Sequence, residues 1–244
     1  MHHVVLERWS RLDSLLHRRD ARIKLLAALV ILVAIATTPR VQSVSVIGYA
    51  LFLLTGAILA KLPLAGILLR AAVVLPFSGV FALISVLAGD PDRALAVVVK
   101  SCLSAITVLI LVGTTPLPQL MAAAEGLGAP RMLVLVVQFL YRYLFVISEQ
   151  GQHMRQAARC RGELANGGAR NRRSRFQAAS GALAVLFGRS YQRAEAIHRA
   201  MLARGFNGHF HPLKRASVTA LDLVFLAAAA GVPVAVRLGA GGPL

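Results

Sequence analysis

Five apolar runs constrain this chain more than any other feature: Leu25 to Thr38, Val41 to Ala60, Ala71 to Ala88, Ala94 to about Gly113, and Val218 to Val236. A helix needs roughly 20 apolar residues to cross a bilayer core. Backbone groups in lipid find no partner but each other, so runs of this length are read as helices rather than open strands. The first run is short, and Arg22, Lys24 and Arg40 can extend it by reaching back to the interface. Pro76 is expected to kink the third, while Asp222 and Pro233 interrupt the last. Composition agrees, since 57% of residues are hydrophobic against about 45–50% in soluble domains. With aromatics at only 6%, the apolar mass is Ala, Leu and Val, which suits closely packed and lipid-facing helices. The expected fold is all-α, a polytopic membrane helix bundle of about five to six spans.

Charge sets the expected orientation. The chain carries 27 Lys and Arg against 10 Asp and Glu, a formal charge of +17. On a membrane protein such an excess marks cytoplasmic loops before it marks nucleic acid, so no nucleic-acid partner is expected. The first 24 residues contain Arg8, Arg11, Arg18, Arg19, Arg22 and Lys24 instead of a secretory signal, which places the amino terminus in the cytoplasm. Lys61 and Arg70 then fall on the cytoplasmic side by alternation, and the acidic "GDPDR" (Gly89 to Arg93) falls outside. The expected location is a cell (inner) membrane, multi-pass, with the amino terminus cytoplasmic. Cys102 and Cys160 form neither a disulfide framework nor a Cys-x-x-Cys site, and read as free thiols.

After Gly113 the pattern changes. Pro116 and Pro118 break the chain, and polar residues interrupt the apolar stretches. A long helix is expected from about Arg131 to Arg161, close to 45 Å at about 1.5 Å per residue. "GELANGGARNRRSR" reads as a loop, and a second long helix is expected from about Arg175 to Arg204. Gly151 to Arg215 holds thirteen Lys and Arg against two acids, Glu163 and Glu195. That density does not belong in hydrocarbon. The organisation is therefore a cytoplasmic basic amino terminus (1–24), a bundle of about four spans (25–113), mainly cytoplasmic amphipathic and long basic helices (114–215), and a carboxy-terminal span (216–244).

The two long helices end alike. Ala157, Arg161 and Gly162 match Ala200, Arg204 and Gly205 in an Ala-x-x-x-Arg-Gly pattern. Arginine in a last turn complements the helix dipole and glycine after it closes a helix, so one such ending is explained as a cap. Two matched endings in the most basic segment suggest more. Tyr191, Ala194, Ile197 and Met201 line one side of the second helix, Arg189, Arg193 and Arg199 lie on others, and Glu195 pairs with Arg199 at i,i+4. Such a face can rest on anionic lipid. It can also present a guanidinium fork to an acidic groove of a partner.

"LDSLLHRRDARIKLL" resembles the Asp-Pro-Arg-x-Lys-type opening of the transmembrane T components of energy-coupling factor (ECF) transporters, and "AMLARGF" resembles their second Ala-Arg-Gly signature. The resemblance covers most of the chain and is closest to the cobalt/nickel, CbiQ-type branch. It implies a membrane bundle, in a bacterial inner membrane, with two long coupling helices whose Ala-Arg-Gly ends dock into two ABC-type ATPase subunits, beside a separate substrate-binding membrane subunit. Carried over, the second signature is Ala203, Arg204 and Gly205. The first is Cys160, Arg161 and Gly162, with cysteine in place of alanine and Arg159 a neighbour able to share the role. Ala21 stands where the opening motif has proline, so Asp20, Arg22 and Lys24 read as topology and fold determinants.

Other candidates are weaker. His2, His3, His209 and His211 have spacings a metal can use, but no Cys, Asp or Glu converges on them, and no metal or other cofactor is expected. Lys100 lies within an apolar run, either snorkelling or functional, with Asp222 a conceivable partner. No Walker motif, His-Glu-x-x-His or paired intramembrane carboxylates are present, so the chain is not read as an enzyme, and ATP hydrolysis is assigned to partners. Two other readings compete with a coupling subunit: a self-sufficient secondary transporter or channel, and a membrane-anchored protein that binds anionic lipid.

Overall fold

The structure is a computed structural model that describes residues 14, 16, 17, 19–38, 43–161, 172–208 and 220–240. Among these residues every regular element is helical: α1 (Ala21–Thr37), α2 (Ser43–Leu59), α3 (Leu64–Ala71), α4 (Leu75–Leu87), α5 (Pro91–Thr114), α6 (Leu117–Gly126), α7 (Arg131–Cys160), α8 (Arg172–Ala203) and α9 (Ala220–Ala240). The chain divides into two compact units, residues 1–134 with 216–244, and residues 135–215. The all-helical membrane bundle expected from the apolar runs is what the structure contains. The leucine- and proline-rich stretch after Gly113 adds a short helix, α6, which no apolar run announced.

Local chemistry sets the helix limits. Asp20 caps α1, its carboxylate accepting from the Arg22 N–H at 3.0 Å. Proline opens α5 and sits in the first turn of α6, where an N–H would have no partner within the helix. The expected kink at Pro76 takes the form of a tight turn. Pro76 has no N–H to give the carbonyl of Ala72, which accepts from Leu75 instead, and Ala72–Val74 winds as a 3₁₀ turn between α3 and α4. The third apolar helix therefore begins earlier than its run suggested, and Leu64–Leu87 forms one apolar stretch. Arg70 belongs to α3 rather than to a loop.

The first unit is organised around α1, which packs against α5, α6 and α9, while α2 packs against α5 and α9, and α3 and α4 against α5. The buried face of α1 consists of Ile23, Lys24, Ala27, Ala28, Ile31, Ala34 and Ile35, at helical spacing. Ile31, Ala34, Ile35, Tyr49, Leu53 and Leu103 form one core cluster, and Ala57, Ala60, Leu62 and Ile67 another. Small residues allow close approach: a methyl group at Gly48 of α2 would meet Val236 of α9 at 3.2 Å. The outer faces are apolar too. On α4, Phe77, Phe81, Leu83 and Leu87 are exposed and only Ser78 is buried, the inside-out pattern of a helix whose solvent is lipid.

Among the described residues three helical stretches are long and apolar enough to cross a membrane: Leu64–Leu87, Pro91–Thr114 and Arg131–Cys160. Ser45–Leu59 is apolar but shorter. Helix α7 joins two natures in one rod, exposing Met132, Leu133, Val136, Leu140 and Leu144 early in its length and Arg155 and Arg159 late.

In the second unit most side chains of α8 are exposed, and those that are half-buried, Ala182, Leu186, Ser190, Ile197 and Met201, follow one helical stripe. On α7 the corresponding stripe includes Phe139, Tyr143, Ile147, Gln150, Met154 and Ala158. The ion pair expected between Glu195 and Arg199 is present at 2.7 Å.

Candidate functional site

The end of α8 is a complete Schellman closure. The Phe206 N–H donates to the carbonyl of Met201 at 3.0 Å and the Gly205 N–H to that of Leu202 at 2.9 Å, with Gly205 at φ +76. The same device ends α2 at Lys61 (φ 54), α4 at Gly89 and α6 at Gly128. A glycine cap is thus a recurrent way of stopping a helix in this chain, and Gly205 does only that with its backbone. The distinguishing feature is the residue before it. Arg204 lies in line with the half-buried stripe of α8, seven residues after Ile197, and its side chain is exposed.

Arg161 repeats that placement. It follows the last residue of α7, its N–H donating to the carbonyl of Ala157 at 3.1 Å, and it stands seven residues after half-buried Met154. Arg159, Cys160 and Arg161 are exposed, as are Ala203, Arg204 and Gly205. Neither the Arg161 nor the Arg204 guanidinium has an ion-pair partner among the described residues. Gly162, the third member of the first triplet, lies outside the described residues, as do His2, His3, His209 and His211. Among the described residues no three His, Cys, Asp or Glu side chains cluster as a metal site would require.

The ionisable residues of the first unit behave differently. Lys24 is buried, and its ammonium donates to the carbonyl of Thr114 at 3.1 Å, to Thr115 Oγ1 at 3.3 Å and to the carbonyl of His17 at 3.3 Å. Three protons meet three acceptors. Lys100 donates to the carbonyls of Thr38 at 2.7 Å and Ala36 at 3.3 Å. Helices α1 and α5 therefore exchange lysines: each supplies an ammonium to the carboxy-terminal carbonyls of the other, which have no partner within their own helix.

Asp222 is not the partner of Lys100. It is buried at the start of α9 and pairs with Arg19 at 3.5 Å. Near the Lys100 cap, Tyr49 Oη lies 3.1 Å from Thr38 Oγ1 and 3.2 Å from the carbonyl of Pro233. Arg22 lays its guanidinium over Gly126 at the end of α6, where a side chain would overlap it. Asp20, Arg22 and Lys24 are thus organisers of the bundle.

Sequence reasoning missed the lysine exchange, although a signal was present. Lys24 sits three, four and seven residues before Ala27, Ala28 and Ile31, on the face that packs, so its charge had to be satisfied inside. The Tyr49 contacts had no comparable signal, because they depend on which helices become neighbours.

An all-helical bundle with apolar outer faces and internally capped charges is the architecture of a membrane protein. The chain belongs to the CbiQ cobalt transport protein family, whose sequence profile matches residues 13–214. An uncharacterized protein of Methanocaldococcus jannaschii, MJ1571, is 24% identical over 247 residues, covering 91% of this chain and 82% of that protein. A second from the same organism, MJ1089, is 29% identical over 102 residues, covering 42% of this chain and 36% of that protein.

Proposed function

We infer that the chain is the transmembrane coupling subunit of an ECF-type ABC importer for cobalt or nickel. It has no catalytic role, spans a bacterial inner membrane several times with its amino terminus in the cytoplasm, and works with two ABC-type ATPase subunits and a substrate-binding membrane subunit. The observation that carries this reading is the pair of exposed, unpaired arginines at equivalent positions on the ends of α7 and α8, within a chain of a cobalt transport family. A guanidinium offers five donors in a planar fork, so two of them at helix tips give orientation as well as attraction to an acidic groove.

The docking residues are Arg159, Cys160, Arg161 and Gly162 at one tip and Ala203, Arg204 and Gly205 at the other. Closure and opening of the ATPases moves the tips, and the long helices carry the motion as rigid levers. The glycine closure of α8 matters here because it turns the chain away directly after Arg204. Without a stop, a continuing helix would bury the tip in its own next turn.

The test is ATP-driven uptake of cobalt or nickel ions into vesicles that hold the chain with ECF-type ATPases and a substrate-binding subunit. The Arg161→Ala/Arg204→Ala double variant is expected to abolish uptake, with Arg172→Ala/Arg173→Ala retaining it. Uptake that persists without ATPases and follows an ion gradient instead would establish a secondary transporter.

A further inference from the structure

Helices α1, α2, α5 and α9 enclose a cavity of about 220 Å³ within the first unit. Among the described residues its lining is apolar apart from Lys24, Thr55, Thr107 and Thr114, and the donors of each already have acceptors. The hydroxyls of Thr55, Thr107 and Thr114 donate to the carbonyls of Phe52, Leu103 and Ile110, each at 2.8 Å, and Lys24 has its three acceptors. A buried water needs two to four polar partners, and these side chains offer it only the acceptor lone pairs of threonine hydroxyls already bonded along their own helices. For scale, an apolar cavity of about 150 Å³ in another protein stays dry and takes up benzene. Left empty, a void of this size would forfeit the packing contacts of every side chain around it.

The opening identifies the phase from which an occupant comes. Thr55, Leu59 and Ala228 at the rim are exposed, and around them α2 and α9 expose Leu51, Leu54, Ile58, Leu223 and Val224. One wall is α5, a helix long and apolar enough to cross the membrane. A mouth ringed by apolar side chains on a membrane bundle faces hydrocarbon, so water-soluble ligands do not reach it. Gly56 widens the wall, because a side chain there would meet nothing within 4 Å.

We propose that this cavity is a binding site for one acyl chain of a membrane lipid, inserted from the bilayer into the α1–α2–α5–α9 bundle. The chain replaces the contacts a void would lose and makes packing of α9 on α1 and α2 depend on lipid. The proposal rests on the membrane placement of this unit and is independent of the coupling role of the arginine tips.

The test reconstitutes the full chain in phosphatidylcholine vesicles whose lipid carries a diazirine midway along one acyl chain, then maps adducts by peptide mass spectrometry after photolysis. Thr107 is 3% exposed and lines the cavity, so an adduct there reports a chain inside it, while Leu83 on the outer face of α4 reports ordinary lipid contact. Both residues are expected to be labelled in the native chain. Gly56→Leu is expected to abolish the Thr107 adduct and leave Leu83 unchanged, with Gly56→Ala giving a partial loss. If Gly56→Leu alters Leu83 labelling and so the fold, Ala228→Leu blocks the mouth from α9 and is expected to abolish the same adduct. Labelling of Leu83 alone in the native chain overturns the proposal and leaves the space to a side chain of a partner subunit. Thr107 labelling that survives both leucine variants overturns it as well.

Discussion

In the unit formed by residues 1–134 and 216–244, Lys24, Lys100 and Arg19 each end on an oxygen of the same unit, whereas in residues 135–215 Arg161 and Arg204 end in solvent. The first three lie among apolar helices, where a charge without a partner is too costly to keep, so each is spent on a helix end or an ion pair. The other two lie at helix tips where water already satisfies them and no internal bond is needed. The difference teaches how to sort cations in a chain that carries +17: those paired internally hold the bundle together, and those left unpaired at matched positions are available to another subunit.

That contrast can be broken by measuring stability and partner binding on the same variants. The largest expected loss of stability is for Lys24→Met, which keeps the stem but leaves the carbonyls of Thr114 and His17 without their donor. Hydrogen bonds to a charged group of this kind are worth about 1.5–3 kcal/mol, read as a lower unfolding midpoint in detergent. A Lys24→Met chain as stable as the native one would remove the lysine exchange between α1 and α5 from the account.

Tyr49→Phe is expected to cost about 1 kcal/mol, because the single phenolic proton serves either Thr38 or Pro233 but not both. Gly205→Ala falls in the same range, about 1 kcal/mol for placing a Cβ at φ +76, and Gly205→Asn less, since asparagine tolerates that conformation. A Cβ at this position meets no atom within 4 Å, so a larger effect of Gly205→Ala would show that the closure of α8 carries more than a backbone turn. At the small end, Arg161→Ala with Arg204→Ala is expected to leave the unfolding midpoint unchanged, as exposed side chains without partners do. A clear drop there would assign these arginines to the fold and erase the contrast between the two units.

Much of the architecture was legible in the sequence because lipid makes helix compulsory and length nearly fixed. The apolar runs marked α1, α2, α4, α5 and α9, and charge density with the two Arg-Gly ends marked α7 and α8 to within a few residues. The early start of the third apolar helix was hidden by Lys61 and Arg70, which read as marks of a connecting loop, whereas a helix starts at Leu64 after Pro63 and carries Arg70 in its last turn. Short α6 was hidden because ten residues, bracketed by Pro116 and Gly128, carry too little periodicity to register.

For the candidate site, the exposure of the arginine tips followed from their basic surroundings. The pairing of Asp222 with Arg19 did not, because those residues lie 203 positions apart and meet only once α9 returns to α1. Lys100 illustrates the same limit. Its place within an apolar run announced that the charge needed a reason, but its target, the carbonyl end of α1, is a property of antiparallel packing.

The most direct measurement is retention of ATPase subunits by the tagged chain, co-expressed with ECF-type ATPases and a substrate-binding subunit and purified from detergent. The native chain, the Arg161→Ala/Arg204→Ala variant and the Arg172→Ala/Arg173→Ala variant are compared side by side. Loss of the ATPases from the first double variant alone, with its unfolding midpoint unchanged, is the result expected of arginine tips that serve as docking points. Equal retention in all three would reduce both tips to helix caps and contradict the assignment of a coupling role.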